Sequence, residues 1–129
     1  MLGTLAHKIL TRLPPETAHS IAIWGMKHRI SAPGPFTSAF TTTDLFGVSL
    51  DNPLGIAAGF DKYAEVADRA NDYGFGWIEE GSFTWEGGEG NKGRRLFRLE
   101  DGLLNRMGLN CFPSEVAAVL PFLFQMKFL

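Results

Sequence analysis

Cysteine occurs once in these 129 residues, at Cys111, which excludes an intramolecular disulfide and fits a reducing compartment. An excess of positive charge is also missing. Twelve lysines and arginines face 14 aspartates and glutamates, for a net charge of −2, so there is no general electrostatic case for a nucleic-acid partner. No run approaches the ~18 consecutive apolar residues that a membrane-spanning helix needs. Thr4, His7, Lys8, Thr11 and Arg12 interrupt the N-terminus, where a secretory signal requires an unbroken apolar segment. Internal repeats and low-complexity tracts are absent too. The remainder, 45% hydrophobic and 20% charged, is ordinary for a globular chain of one domain at most.

Three regions separate by pattern. Residues 1–30 read as two short helices. Leu2, Leu5, Ile9 and Leu13 recur every three or four positions, and Ala18, Ile21, Ala22, Trp24 and Gly25 lie on or near one face of a second segment over 16–27. Pro14-Pro15 separates them, since proline disfavours helix in the residue before it and suits the first turn of the next. Lys27, His28 and Arg29 close the second helix with charge that suits its dipole. Residues 31–43, rich in Pro, Gly, Ser and Thr, read as a linker.

From residue 44 the period changes to that of strands. Residues 46–53 suggest a short strand ending in a turn, and 54–58 a nearly all-apolar strand of the kind buried on both faces. A helix is expected over 63–73, from Val66, Ala67 and Ala70, with Gly74-Phe75-Gly76 ending it and 77–80 forming another strand. That order is a βαβ unit, whose ligands gather at the C-terminal ends of its strands. Residues 85–94 read as a flexible, glycine-rich polar loop, 95–110 as short apolar segments between turns, and 113–129 as an apolar helix.

The most informative stretch is Asn52-Pro53-Leu54-Gly55-Ile56-Ala57-Ala58-Gly59-Phe60-Asp61-Lys62. A buried strand runs into a turn without a side chain at Gly59, then presents an acid and an amine; such a turn lets a flat or anionic ligand approach the backbone, with a cation at hand. Gly followed by Asp-Lys is common in loops, so the weight comes from the segments downstream and their order. Gly74-Phe75-Gly76-Trp77-Ile78-Glu79-Glu80-Gly81-Ser82-Phe83-Thr84, Gly90-Asn91, Arg95-Leu96-Phe97-Arg98-Leu99 and Asn105-Arg106-Met107-Gly108-Leu109-Asn110 complete the series. Over about residues 5–110 the chain resembles the first part of the membrane-associated, quinone-dependent (class 2) dihydroorotate dehydrogenases.

The resemblance implies an α/β architecture: an N-terminal helical pair over 1–30, a linker over 31–43, and from 44 to 129 the first strands of a (β/α)8 TIM barrel, cut short. It implies flavin mononucleotide (FMN) as cofactor, held by Ala58, Gly59, Phe60, Asp61, Lys62 and Ser82. Ser82 stands where relatives usually carry threonine, and keeps the hydroxyl but not the methyl. Dihydroorotate and orotate would be held by Lys62 and by the loop Asn105, Arg106, Met107, Gly108 and Leu109. His19 and Arg98 would lie near a membrane quinone. The helices would bind a membrane surface, placing the protein peripherally on the cytoplasmic side of the inner membrane. No metal and no nucleic acid are implied.

Departures accompany the match. The loop after Thr84 is proline-rich in most relatives. In the substrate loop, Leu109-Asn110-Cys111 stands where a phenylalanine and two asparagines are usual, and Cys111 reads as a small buried residue. The family's catalytic serine and flavin-phosphate site have no counterpart before residue 129, and 121–129 matches nothing in the family; neither Ser82 nor Ser114 is that serine. The expectation is therefore the N-terminal part of a quinone-dependent dihydroorotate dehydrogenase of pyrimidine biosynthesis, itself inactive, with no catalytic residue in the chain. The alternative is a non-catalytic membrane- or flavin-binding remnant of a truncated reading frame.

Overall fold

A computed structural model describes residues 2–115. The first helix, α1, spans Leu2–Leu10, and the second, α2, spans Pro15–Lys27, with Pro15 in the first turn where its missing N–H costs nothing. One face of α2 is inward: Ile23 and Met26 are buried in a core with Ile56, Val66 and Ala70, flanked by Phe60, Tyr73, Phe75 and Ile78. The opposite face leaves Ile21 and Trp24 exposed, as α1 leaves Leu5 and Ile9.

The strands form three two-stranded sheets. Strands β1 (Thr43–Leu45) and β2 (Val48–Leu50) make an antiparallel hairpin that turns at Phe46-Gly47. The single strand expected over 46–53 is thus a hairpin begun earlier, because Gly47 takes φ +84° and the Asp44 carboxylate accepts its N–H, which together close the turn. Strands β3 (Gly55–Ile56) and β4 (Trp77–Ile78) pair in parallel, Gly55 opposite Trp77 and Ile56 opposite Ile78. The indole of Trp77 occupies the space where Gly55 would carry a side chain. Strands β5 (Leu96–Leu99) and β6 (Gly102–Asn105) form a second antiparallel hairpin. The α/β character and the parallel pair are as expected; among the described residues no barrel closes.

Between β3 and β4 the expected helix over 63–73 is absent. Two 3₁₀ turns, Ala67–Arg69 and Asn71–Tyr73, replace it. Ala64 is the physical reason, since its φ of +50° is incompatible with a right-handed helix through this point. Asp61 fixes that turn: buried, with 1% of its surface exposed, its carboxylate accepts the main-chain N–H groups of Glu65 (2.8 Å) and Val66 (2.7 Å). This segment holds α2 in place through ion pairs Lys27–Glu65 and Arg29–Asp72, the latter at 2.6 Å. The Tyr73 hydroxyl reaches the carbonyl of Ile30 at 2.8 Å.

The glycine-rich loop over 85–94 is packed rather than flexible. Gly87, Gly90 and, across it, Gly108 lie so close to neighbouring main chain that a Cβ on any of them would overlap Pro113, Met107 or Asn91. Main-chain hydrogen bonds join Gly88 to Cys111 in both directions at 3.0 Å and carry the Asn91 N–H to the Met107 carbonyl at 2.9 Å. Cys111 is buried, as expected, beside the Thr84 hydroxyl. The apolar helix expected over 113–129 lies, past residue 115, outside the described residues.

Candidate functional site

The two parallel strands end at the same place. The N–H of Gly59, just after β3, donates to the carbonyl of Gly81, just after β4, at 3.0 Å. Gly59 has φ +89°, and a side chain there would meet no atom within 4 Å, so the backbone stands bare toward an open cavity of about 630 Å³. Ala58, Gly59, Phe60, Lys62 and Ser82 line that cavity, and so do Asn105, Arg106, Met107, Gly108 and Leu109 from the far side of the β5–β6 hairpin. Segments nearly fifty residues apart thus face one space.

Asp61 is the exception among the residues expected at the cofactor. It does not line the cavity, and its carboxylate is spent on main-chain donors beneath the turn. Its work is to shape the turn that exposes Gly59 and Lys62.

The Lys62 ammonium donates to the Gly59 carbonyl at 2.5 Å. Burial, first, and the Arg95 guanidinium, second, hold its pKa below the ordinary lysine range, while Glu16 pulls the other way. An anion entering the cavity would offset the repulsion between Lys62 and Arg95.

His19, on α2, also borders this cavity. Its Nε2 lies 2.6 Å from the Phe60 carbonyl and its ring meets that of Phe60 edge-on. A carbonyl only accepts, so Nε2 carries the proton, and in the neutral ring Nδ1 remains an acceptor. Arg98 lies elsewhere, on a second cavity of about 460 Å³ bounded by Thr11 to Glu16 and by Arg94, Leu96 and Arg98. Its Nη2 donates to the carbonyls of Leu10 (3.3 Å) and Leu13 (3.2 Å), closing the end of α1. The two residues expected near a quinone therefore face two cavities, with Glu16 and Leu96 bordering both.

Asn110, the asparagine kept in Leu109-Asn110-Cys111, lines the main cavity, is 6% exposed, donates from Nδ2 to the Tyr63 hydroxyl at 2.9 Å and, among the described residues, leaves Oδ1 buried without a partner. Two features are not apparent from the sequence. Glu16 and Arg95, separated by 79 positions, form a multiply bonded ion pair on the cavity wall. Glu80, at the end of β4, is half-buried with Oε1 unpartnered, and burial followed by the Asp61 charge raises its pKa.

Two parallel strands whose C-terminal ends frame a bare glycine, an amine and a hydroxyl, with an amide-bearing loop opposite, define the opening of a β/α ligand site. The chain belongs to the dihydroorotate dehydrogenase family, whose model, Dihydroorotate dehydrogenase, matches residues 40–118. It is 42% identical over 114 residues to a Dihydroorotate dehydrogenase (quinone) from Rhodopseudomonas palustris, covering 87% of this chain and 31% of that protein. A relative of the same name from Halobacterium salinarum is 43% identical over 116 residues, covering 82% and 33%. A crystal structure of the Eimeria tenella enzyme in complex with ferulenol superimposes with a TM-score of 0.75 at 30% identity, covering 90% of this chain and 32% of that one. The chain thus spans about a third of the length of the curated relatives it matches. Among the described residues, no helix is long and apolar enough to cross a membrane.

Proposed function

We propose that this chain supplies the helical module and opening strands of a quinone-dependent dihydroorotate dehydrogenase, which oxidises dihydroorotate to orotate in pyrimidine biosynthesis. The observation that carries this reading is the convergence of residues 58–60, Lys62, Ser82 and residues 105–110 on one cavity. The donor set fits FMN: bare backbone at Gly59 suits a flat ring, Ser82 presents a hydroxyl, and Lys62 presents a cation to an electron-rich edge. When bound, FMN would supply the acceptor for the hydride equivalent that leaves dihydroorotate.

The residues of this chain bind and orient. Lys62 stabilises negative charge as it develops, through an ammonium fixed in advance by the Gly59 carbonyl. Asn105 and Asn110 present amide groups that match the alternating donors and acceptors of the orotate ring, and Gly108 lets the ring approach the backbone. Arg98 offers a guanidinium to a quinone head group in the cavity between the helices and β5. His19 borders the main cavity instead, its Nε2 proton engaged by the Phe60 carbonyl. Leu5, Ile9, Ile21 and Trp24 give the two helices an exposed apolar surface suited to lying in a membrane interface, peripherally on the cytoplasmic side of the inner membrane.

A test uses a full-length enzyme, the Rhodopseudomonas palustris relative with residues 1–110 of this chain in place of its own. Lys62→Ala should slow flavin reduction by dihydroorotate by about 10²-fold. Arg98→Ala should instead slow reoxidation by quinone and leave reduction nearly intact. Stopped-flow traces with the opposite assignment would refute these roles.

A further inference from the structure

We propose that the Glu16–Arg95 pair is a positioning joint through which the helical module holds the loop over 105–109 against the cavity; this rests on the reading of that loop as the substrate loop. Glu16 sits in the first turn of α2, where an acid suits the helix dipole and needs no further explanation. Its carboxylate nevertheless receives four donations from one residue. Arg95 Nη2 lies 2.7 Å from Oε2, Nε lies 3.2 Å from Oε2 and 3.3 Å from Oε1, and the Arg95 main-chain N–H reaches Oε1 at 3.2 Å. One carboxylate therefore fixes both the guanidinium and the backbone of Arg95.

What Arg95 holds in turn is the loop. Its carbonyl accepts the N–H of Arg106 at 2.8 Å, one residue past the end of β6. Its Nη1 donates to the Glu89 carbonyl at 3.2 Å, and from the same stretch Asn91 Nδ2 donates to the Arg106 carbonyl at 2.8 Å. The path from α2 to the loop is thus carboxylate, Arg95 backbone, Arg106, with a brace through residues 89–91. Glu16 also borders both cavities, so it stands in the wall between the two sites.

Docking of α2 does not by itself explain the pair. Ile23 and Met26 in the core, the His19 bond to Phe60 and two ion pairs already fasten the helix. A partly exposed ion pair adds little to stability. Its distinctive consequence is geometric, and a small displacement of a substrate-positioning group weakens function far more than it weakens the fold.

The experiment measures orotate dissociation constants on the FMN-loaded full-length chimera of the Rhodopseudomonas palustris relative, together with its melting temperature. Glu16→Ala should weaken orotate binding about tenfold, Glu16→Gln should restore part of the loss, and Glu16→Ala with Arg95→Ala should be no worse than Arg95→Ala alone, as residues acting in one linkage require. If Glu16→Ala does not fold, Glu16→Gln and Arg95→Ala carry the same comparison. Unchanged orotate binding beside a lowered melting temperature, or losses that simply add, would overturn the joint. Failure of the unsubstituted chimera to bind orotate would instead overturn the proposed function.

Discussion

Asn110 donates its side-chain N–H to the Tyr63 hydroxyl at 2.9 Å, which turns its carbonyl oxygen into a buried acceptor with no partner among the described residues, on the wall of the main cavity. A buried acceptor without a donor costs about 1–3 kcal/mol, and a ligand N–H that reaches it recovers that loss. Asn110→Leu should therefore leave the chain at least as stable in urea while weakening orotate binding by the full-length chimera tenfold or more. Lower stability with unchanged affinity would contradict the role.

Asp61 should behave in the opposite way. Its two short bonds to main-chain donors are buried, so Asp61→Ala should cost about 2 kcal/mol or more, read as a lowered urea midpoint. Loss of flavin should follow from loss of fold, whereas Ser82→Ala should reduce flavin affinity at an unchanged midpoint. An Asp61→Ala chain of full stability with poor flavin binding would return Asp61 to the cofactor.

Lys62 supplies a pH dependence. Its depressed pKa means that at neutral pH the folded chain carries a charge held less favourably than in the unfolded chain. That deficit is full below the folded pKa and disappears as pH rises from it toward the ordinary lysine value of about 10.4. Lys62→Met should raise the melting temperature near neutral pH, the gain should shrink as pH approaches ~10.4, and orotate binding should be lost. A gain that persists unchanged at alkaline pH would show that packing, not charge, is responsible.

Gly90 tests the braced loop. With φ +75° and the Met107 carbonyl 2.3 Å from where a Cβ would lie, Gly90→Ala must push residues 105–109 away from the cavity. Gly93 has a similar φ of +77° but open space, so Gly93→Ala bears the backbone cost alone. Orotate affinity of the chimera should fall for the first and not for the second. Equal behaviour would mean that the loop is not held through Gly90.

The sequence was most legible where local chemistry decides the outcome. Pro14-Pro15 marks the break between helices, and Gly59 marks the turn after a short strand, because φ preferences and missing donors act within a few residues. It was least legible where a distant or unusual partner intervenes. The apolar spacing of Val66, Ala67 and Ala70 is helical, yet Ala64 takes a left-handed φ of +50° and the segment forms two 3₁₀ turns. Glycines at 87 and 90 suggested freedom, whereas their bare faces admit neighbouring main chain. The partner of Glu16 could not be chosen among 12 basic residues from sequence alone.

Residues 58–60, Lys62, Ser82 and residues 105–110 line one cavity, proposed above as part of a flavin and dihydroorotate site. The most direct test of that proposal is the visible spectrum of the full-length chimera under anaerobic conditions. The expected result is a yellow protein that bleaches on addition of dihydroorotate and regains colour with quinone. A folded chimera that binds FMN but keeps its colour in the presence of dihydroorotate would contradict it.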